Sequence, residues 1–133
     1  MEYKTRIVAV IIQNSKLLLL KGIGYEELWT PGGKIKFKET DEECLRRELK
    51  EEINVKLIKT KFFKQYSEKS FYDPDEEVIE KVYITTINGK LKPNAEIEKI
   101  IWITKDDLKN QKYKILPTTE KEIIPDLIRE GMF

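Results

Sequence analysis

Residues 33 to 55, GKIKFKETDEECLRRELKEEINV, decide how the rest of the chain is read. The stretch opens on the second of two glycines and runs into one short, acid-crowded helix. Thr40 or Asp41 is the expected N-cap, and Glu43 stands three residues after Thr40, as a capping box requires. The helix is expected to end at about Ile53, with Asn54 in the left-handed conformation that closes many helices. Leu45, Leu49 and Ile53 form its apolar stripe. Glu48, Glu51 and Glu52 follow one another at helical offsets of three and four. At about 100° per residue they project from one narrow face. Like charges at that spacing repel, so the arrangement suggests a bound counter-charge. Three converging carboxylates suit a hard divalent cation, Mg²⁺ or Mn²⁺.

Composition narrows the chemistry. The 133 residues are enough for one domain with a real core, and a single domain over residues 1–133 is expected. Lys and Arg number 25 against 24 Asp and Glu. That balance gives no electrostatic reason to expect nucleic acid or a membrane surface as partner. A single cysteine, Cys44, excludes a disulfide framework and a cysteine-based zinc site. The absence of histidine excludes Ser-His-Asp and Cys-His nucleophile systems and histidine-ligated zinc. Chemistry must therefore rest on carboxylates, Lys, Arg, Tyr and metal. No apolar run reaches the ~18 residues of a membrane span, and the N-terminal stretch lacks a signal-peptide pattern. A cytoplasmic location is expected.

The flanking segments read as an α+β chain. Residues 4–12 are apolar on both faces and predict a buried strand, and 16–21 its return. Residues 22–28 predict a loop. In Trp29-Thr30-Pro31-Gly32-Gly33-Lys34 the two glycines allow a ligand to approach the backbone closely. Residues 55–67 and 77–88 predict long paired strands around the polar loop 67–76. Asn88-Gly89 marks a tight turn, 91–95 an irregular segment and 97–104 a further strand. Thr104 caps a short helix, and a last helix starts near Pro117-Thr118-Thr119-Glu120 and runs to Arg129. The order predicts an α/β/α sandwich with a central mixed β-sheet.

These residues resemble the Nudix hydrolase family. Its signature is a glycine, five residues, Glu, seven residues, Arg-Glu, an aliphatic residue, any residue, Glu-Glu, any residue, glycine and an aliphatic residue. Gly33, Glu39, Arg47-Glu48, Leu49, Glu51-Glu52 and Val55 fill these places, and Asn54 stands for the last glycine. The lead-in LWTPGGK and the later AEIEKIIWITKDDL also look like the family's, so the likeness spans essentially the whole chain. Lys36 and Lys38 depart from it, since members often carry Glu and Gly there.

The resemblance implies metal-dependent hydrolysis of a nucleoside diphosphate linked to another moiety. The substrate expected is a nucleoside triphosphate, oxidised ones included, or a dinucleoside polyphosphate. It implies that Glu48, Glu51 and Glu52 ligate the metal, with Gly32 through its carbonyl and Glu39 either as a further ligand or as a brace for the loop. Arg47 would orient the acids and Lys34 would meet a phosphate. A carboxylate must take the proton from water, and Glu96 and Glu52 are the two candidates. Among Trp29, Trp102, Tyr66, Phe71 and Tyr72, one or two could stack on a base, though core packing suits Trp102 better. Tyr72 lies where members acting on dinucleoside polyphosphates carry a Tyr. Pro74 is a weaker pointer to ADP-ribose or nucleotide sugars. A non-catalytic nucleotide-binding module and an isoprenoid diphosphate isomerase are the rivals from other classes. The intact acids oppose the first, and the lack of histidine opposes the second. Cys44 is expected to be a packed apolar residue, and the protein a monomer or homodimer.

Overall fold

A computed structural model describes residues 3–133. Two sheets share the work. In the first, the order is β4 (Gly32–Lys34), β1 (Tyr3–Val10), β6 (Glu77–Asn88), β5 (Lys56–Lys69). β1 and β6 run parallel, and the outer pairs are antiparallel. The second is antiparallel, with β3 (Lys16–Gly22) between β2 (Ile12–Gln13) and β7 (Ile97–Ile103). The helices are α1 (Asp41–Ile53), α2 (Lys105–Lys109) and α3 (Ile124–Arg129), the last entered through a π-helical stretch, Thr119–Ile123.

Strand alternation sorts the core into two halves. Ile7, Ala9, Ile11, Leu18 and Leu20 pack with Cys44, Leu45, Leu49 and Ile53 of α1. Val8, Val10, Leu17 and Leu19 pack with Ile123, Ile124, Leu127 and Phe133 on the other side. This is the expected α/β/α sandwich. Within the segment 4–12, residues 7–11 are buried on both faces because both faces are covered by helices. It forms two strands rather than one: the chain breaks pairing at Ile11 and passes from the first sheet to the second. Trp102 packs partly buried against the α1 side of the core.

Three local features differ from the sequence reading or sharpen it. The sequence reading assigns no strand to Gly32–Lys34, yet it pairs with Arg6–Val8 as an edge strand. Glycine has little strand propensity, so this pairing is imposed by tertiary contact. β5 runs two residues beyond Ser67, to Lys69, because Glu68 and Lys69 continue the ladder to Val78 and Glu77. The last helix contains a π turn ahead of Pro125, whose missing N–H cannot serve a regular α ladder.

α1 is closed at both ends as its sequence implies. Thr40 is the N-cap, its hydroxyl accepting from the Glu43 amide at 3.1 Å while the Glu43 carboxylate accepts from the Thr40 amide at 2.9 Å. Asn54 adopts φ 61°, ψ 37° and its N–H turns back to the carbonyls of Leu49 and Lys50. Asn54→Ala should therefore lower unfolding stability by about 1 kcal/mol, whereas Asn54→Gly should be neutral or slightly stabilising. Urea unfolding of the two variants checks this, and equal losses would contradict it.

Candidate active site

Arg47 is the hub of the acid cluster. Its Nε donates to Glu39 Oε2 at 2.6 Å and its Nη2 to Glu39 Oε1 at 3.0 Å, a two-pronged pair. Its Nη1 donates to Glu48 Oε1 at 2.7 Å and lies 3.5 Å from Glu51 Oε2. Nη2 also donates to the Lys34 carbonyl at 3.2 Å. One guanidinium thus ties α1 to the loop before it and to the end of β4. Glu39 is committed on both oxygens, because Oε1 also accepts from the Lys36 amide at 2.9 Å. The Arg47 hydrogen bonds, then the Lys36 amide, hold its carboxyl down to about 2.

The three helix acids are not equivalent. The Glu51 side chain is 53% exposed, Glu48 is half-buried, and Glu52 is 3% exposed. Burial pushes Glu52 up to about 8, opposed by the Gly32 N–H that donates to its Oε1 at 2.9 Å. Burial also raises Glu48, and Arg47 opposes the rise. Glu96 is exposed, close enough for its charge to raise both Glu48 and Glu52.

The glycine pair shapes this corner in two ways. Gly32 has φ +138°, and a Cβ there would lie 2.1 Å from the Ile7 carbonyl oxygen. A Cβ on Gly33 would lie 2.5 Å from the Glu48 carboxylate. Gly32 therefore lets β4 reach β1, and Gly33 leaves room for the Glu48 carboxylate against the backbone. A donor set of carboxylates suits a hard divalent cation. Among the described residues, however, no three such acids point at one place. Glu48 and Glu51 turn toward Arg47, and Glu52 toward the Gly32 amide.

Next to the acids lies a cavity of about 370 Å³ on the sheet. Tyr25, Trp29, Phe71 and Tyr72 line one side. Their rings form a chain of edge and tilted contacts with centroids 5.0–5.7 Å apart. Arg6, Glu68 and Glu80 line the strand side, and Glu96 joins this wall to the acid cluster. Of the site residues expected from sequence, the structure brings Gly32, Glu39, Arg47, Glu48, Glu51, Glu52 and Glu96 to one corner. Tyr72 lies on the cavity instead. The exposed Lys34 is tied to the corner by its carbonyl and is not on the cavity wall. The sequence reading passed over Arg6, Tyr25, Glu68 and Glu80. Glu80 carried a signal: it falls between Val78 and Val82 on a strand face that is otherwise apolar and buried.

The sequence matches the NUDIX domain family over residues 3–127, and the chain belongs to that family. It is 33% identical, over 96% of its length and 95% of the relative's, to an 8-oxo-dGTP diphosphatase of Buchnera aphidicola subsp. Schizaphis graminum. It is 30% identical, over 77% of its length and 83% of the relative's, to the nucleoside triphosphatase NudI of Escherichia coli O17:K52:H18. Solved structures share the fold. A NUDIX hydrolase from Nitrosomonas europaea matches with a TM-score of 0.82 at 18% identity, over 98% of this chain and 91% of that one. A MutT NUDIX hydrolase from Burkholderia pseudomallei matches with a TM-score of 0.71 at 21% identity, over 80% and 86%. Within the family the chain is a MutT-like pyrophosphohydrolase.

The two glycines should separate folding from catalysis. Gly32→Ala strikes backbone in a left-handed conformation and should destabilise the fold by more than about 2 kcal/mol. Gly33→Ala strikes only the Glu48 carboxylate and should leave the melting temperature within a few degrees while reducing turnover at least about tenfold. Parallel melts and rate assays measure both, and full activity in Gly33→Ala would contradict the second.

Proposed function

We infer that residues 1–133 act as one catalytic domain that hydrolyses nucleoside triphosphates, oxidised ones included. Water attacks a phosphorus of the diphosphate linkage, releasing a nucleoside monophosphate and diphosphate. One observation carries this reading: Glu96 stands at the join of the acid cluster and an aromatic-walled cavity. A base seated in the cavity would thus direct its phosphates at the acids. The names of the two relatives, an 8-oxo-dGTP diphosphatase and a nucleoside triphosphatase, agree with it.

Glu48, Glu51, Glu52 and the Gly32 carbonyl would hold the divalent cation, Mg²⁺ or in its place Mn²⁺. A cation bound there supplies charge neutralisation on the phosphate oxygens and a lower pKa for the attacking water. The protein's own groups do the rest. Arg47 spaces the acids and yields them without leaving them unpaired. Glu39, with both oxygens engaged, is better placed to brace Arg47 and the loop than to ligate directly. Glu96 accepts the proton, a role that suits it better than Glu52, whose Oε1 is held by the Gly32 amide. Lys34 is free to meet a terminal phosphate, and Tyr72 to stack on the base. Among the described residues no helix is long and apolar enough to cross a membrane. With Cys44 buried and unpaired, we place the protein in the cytoplasm, as a monomer or homodimer.

A panel of nucleoside triphosphates, dinucleoside polyphosphates and ADP-ribose, assayed with Mg²⁺ and Mn²⁺, tests the reading. Glu51→Gln and Glu52→Gln should each cut kcat at least about a hundredfold. No turnover on any member of the panel would leave a nucleotide-binding module instead. The cation itself gives a second check. At about a hundred times its dissociation constant, Mg²⁺ should stabilise the fold by about 2.7 kcal/mol, and the gain should shrink in both variants. A melting curve indifferent to millimolar Mg²⁺ would contradict the ligand set.

A further inference from the structure

Two surfaces outside the acid cluster and its cavity have complementary character. The first is the tip of the loop between β4 and α1. Phe37 stands there 91% exposed, more than any other large apolar side chain among the described residues. Lys36 and Lys38 flank it, and both are exposed. Neither forms an ion pair among the described residues, and the Lys38 ammonium lies 5.5 Å from the Phe37 ring centre. The tip is braced on both sides. The Ile35 N–H donates to the Thr5 carbonyl at 3.0 Å, the Lys36 N–H to the Glu39 carboxylate at 2.9 Å, and the Glu39 N–H to the Lys36 carbonyl at 3.0 Å. A lone exposed apolar side chain is ordinary. An aromatic ring held out on a braced loop between two unpaired lysines has the build of an interface anchor.

The second surface is a groove of about 910 Å³ beside α2 and α3. Buried Ile115 and Ile124 line its floor, with Leu108 next to them. Its rim is acidic. Glu26, Glu27 and Glu120 stand against a single cation, Lys114, which is already paired with Glu26 at 2.9 Å. Glu27 and Glu120 form no ion pair among the described residues. An apolar floor between unpaired acids suits an apolar side chain carried between cations. Residues 36–38 supply that order, Lys-Phe-Lys. The braces hold the tip in solvent, away from the groove of its own chain. Contacts of like with like are worse: tip against tip would set lysines together, and groove against groove would set glutamates together.

We propose that this surface takes a second copy of the chain: Phe37 of one copy seats in the groove of the other, with Lys36 and Lys38 set against Glu27 and Glu120. Tip and groove are different patches, so the contact is heterologous and every copy offers one of each. Bracing the loop in advance lowers the ordering cost of docking. The contact amounts to one ring and a few charges, so the association is weak and transient. The docked loop is the one whose Lys36 amide holds Glu39, and Glu39 in turn holds Arg47. Association therefore steadies a loop that borders the acid cluster, whatever substrate that cluster serves.

Sedimentation equilibrium at protein concentrations from about 10 µM to about 1 mM tests the proposal. The samples are native protein, Phe37→Ser and the double variant Glu27→Lys/Glu120→Lys, with thermal melts alongside. Native protein should gain apparent mass with concentration. Each variant should weaken association at least about tenfold. Phe37 is exposed, so its replacement leaves the core alone. Should the double variant fail to fold, Glu120→Lys at an exposed position takes its place, with a smaller loss. The deciding arm mixes the two variants. Phe37→Ser keeps an intact groove and the double variant an intact tip, so an equimolar mixture should associate where neither does alone. Native protein that stays monomeric over the whole range overturns the proposal. Association that Phe37→Ser leaves unchanged does so too, as does a mixture no heavier than its components.

Discussion

Electrostatic repulsion among the acids of α1 is the constraint that the site is built around. Glu48, Glu51 and Glu52 crowd the last turns of the helix, where the macrodipole also disfavours anions. Arg47 answers this within the same turn, and extends the answer outward by seizing Glu39 on the loop and the Lys34 carbonyl at the end of β4. The network links α1 to the loop before it and to the end of β4, so removing the arginine would release the loop as well as the acids. Glu52 is managed differently. It is buried and leans on a backbone amide of β4, which exists as a strand only because Gly32 lets it approach β1. The acid cluster and the sheet edge are therefore one piece of construction.

Much of this was legible in the sequence because it depends on short-range rules. The capping box at Thr40 and Glu43 is a local hydrogen-bond pattern, and it forms as written. Asn54 replaces the family's glycine without loss of the left-handed cap, since asparagine tolerates that conformation better than other side chains. Lys38 is partly explained in the same way. Its φ of +67° is the conformation that makes glycine common at this place, so here a lysine bears some strain, with its ammonium 5.5 Å from the Phe37 ring centre. Lys36 serves the site through its amide, which any residue but proline would supply.

What the sequence did not disclose depends on pairing between distant strands. No local rule makes a strand of Gly32–Lys34, and none separates the exposed Glu51 from the buried Glu52, one residue apart on one helix. The cavity wall is a plainer case. Arg6 and Glu80 are 74 residues apart and meet only because β1 and β6 run parallel in this register. The alternation of Val78, Glu80 and Val82 places a charge on an apolar face, but the pattern alone cannot say whether a partner satisfies it.

The two acid groups of this protein differ in kind, and that difference divides their labour. Around Arg47, carboxylates outnumber cations and Glu51 stays exposed, an arrangement that can exchange one positive partner for another. On the cavity wall, one carboxylate is shut away with a single arginine that reaches only half of it. A buried group that cannot be rehydrated cheaply discriminates strongly between a partner that fits and one that does not. Glu96 lines the cavity and lies close enough to Glu48 and Glu52 for its charge to raise both, so it couples the two groups electrostatically.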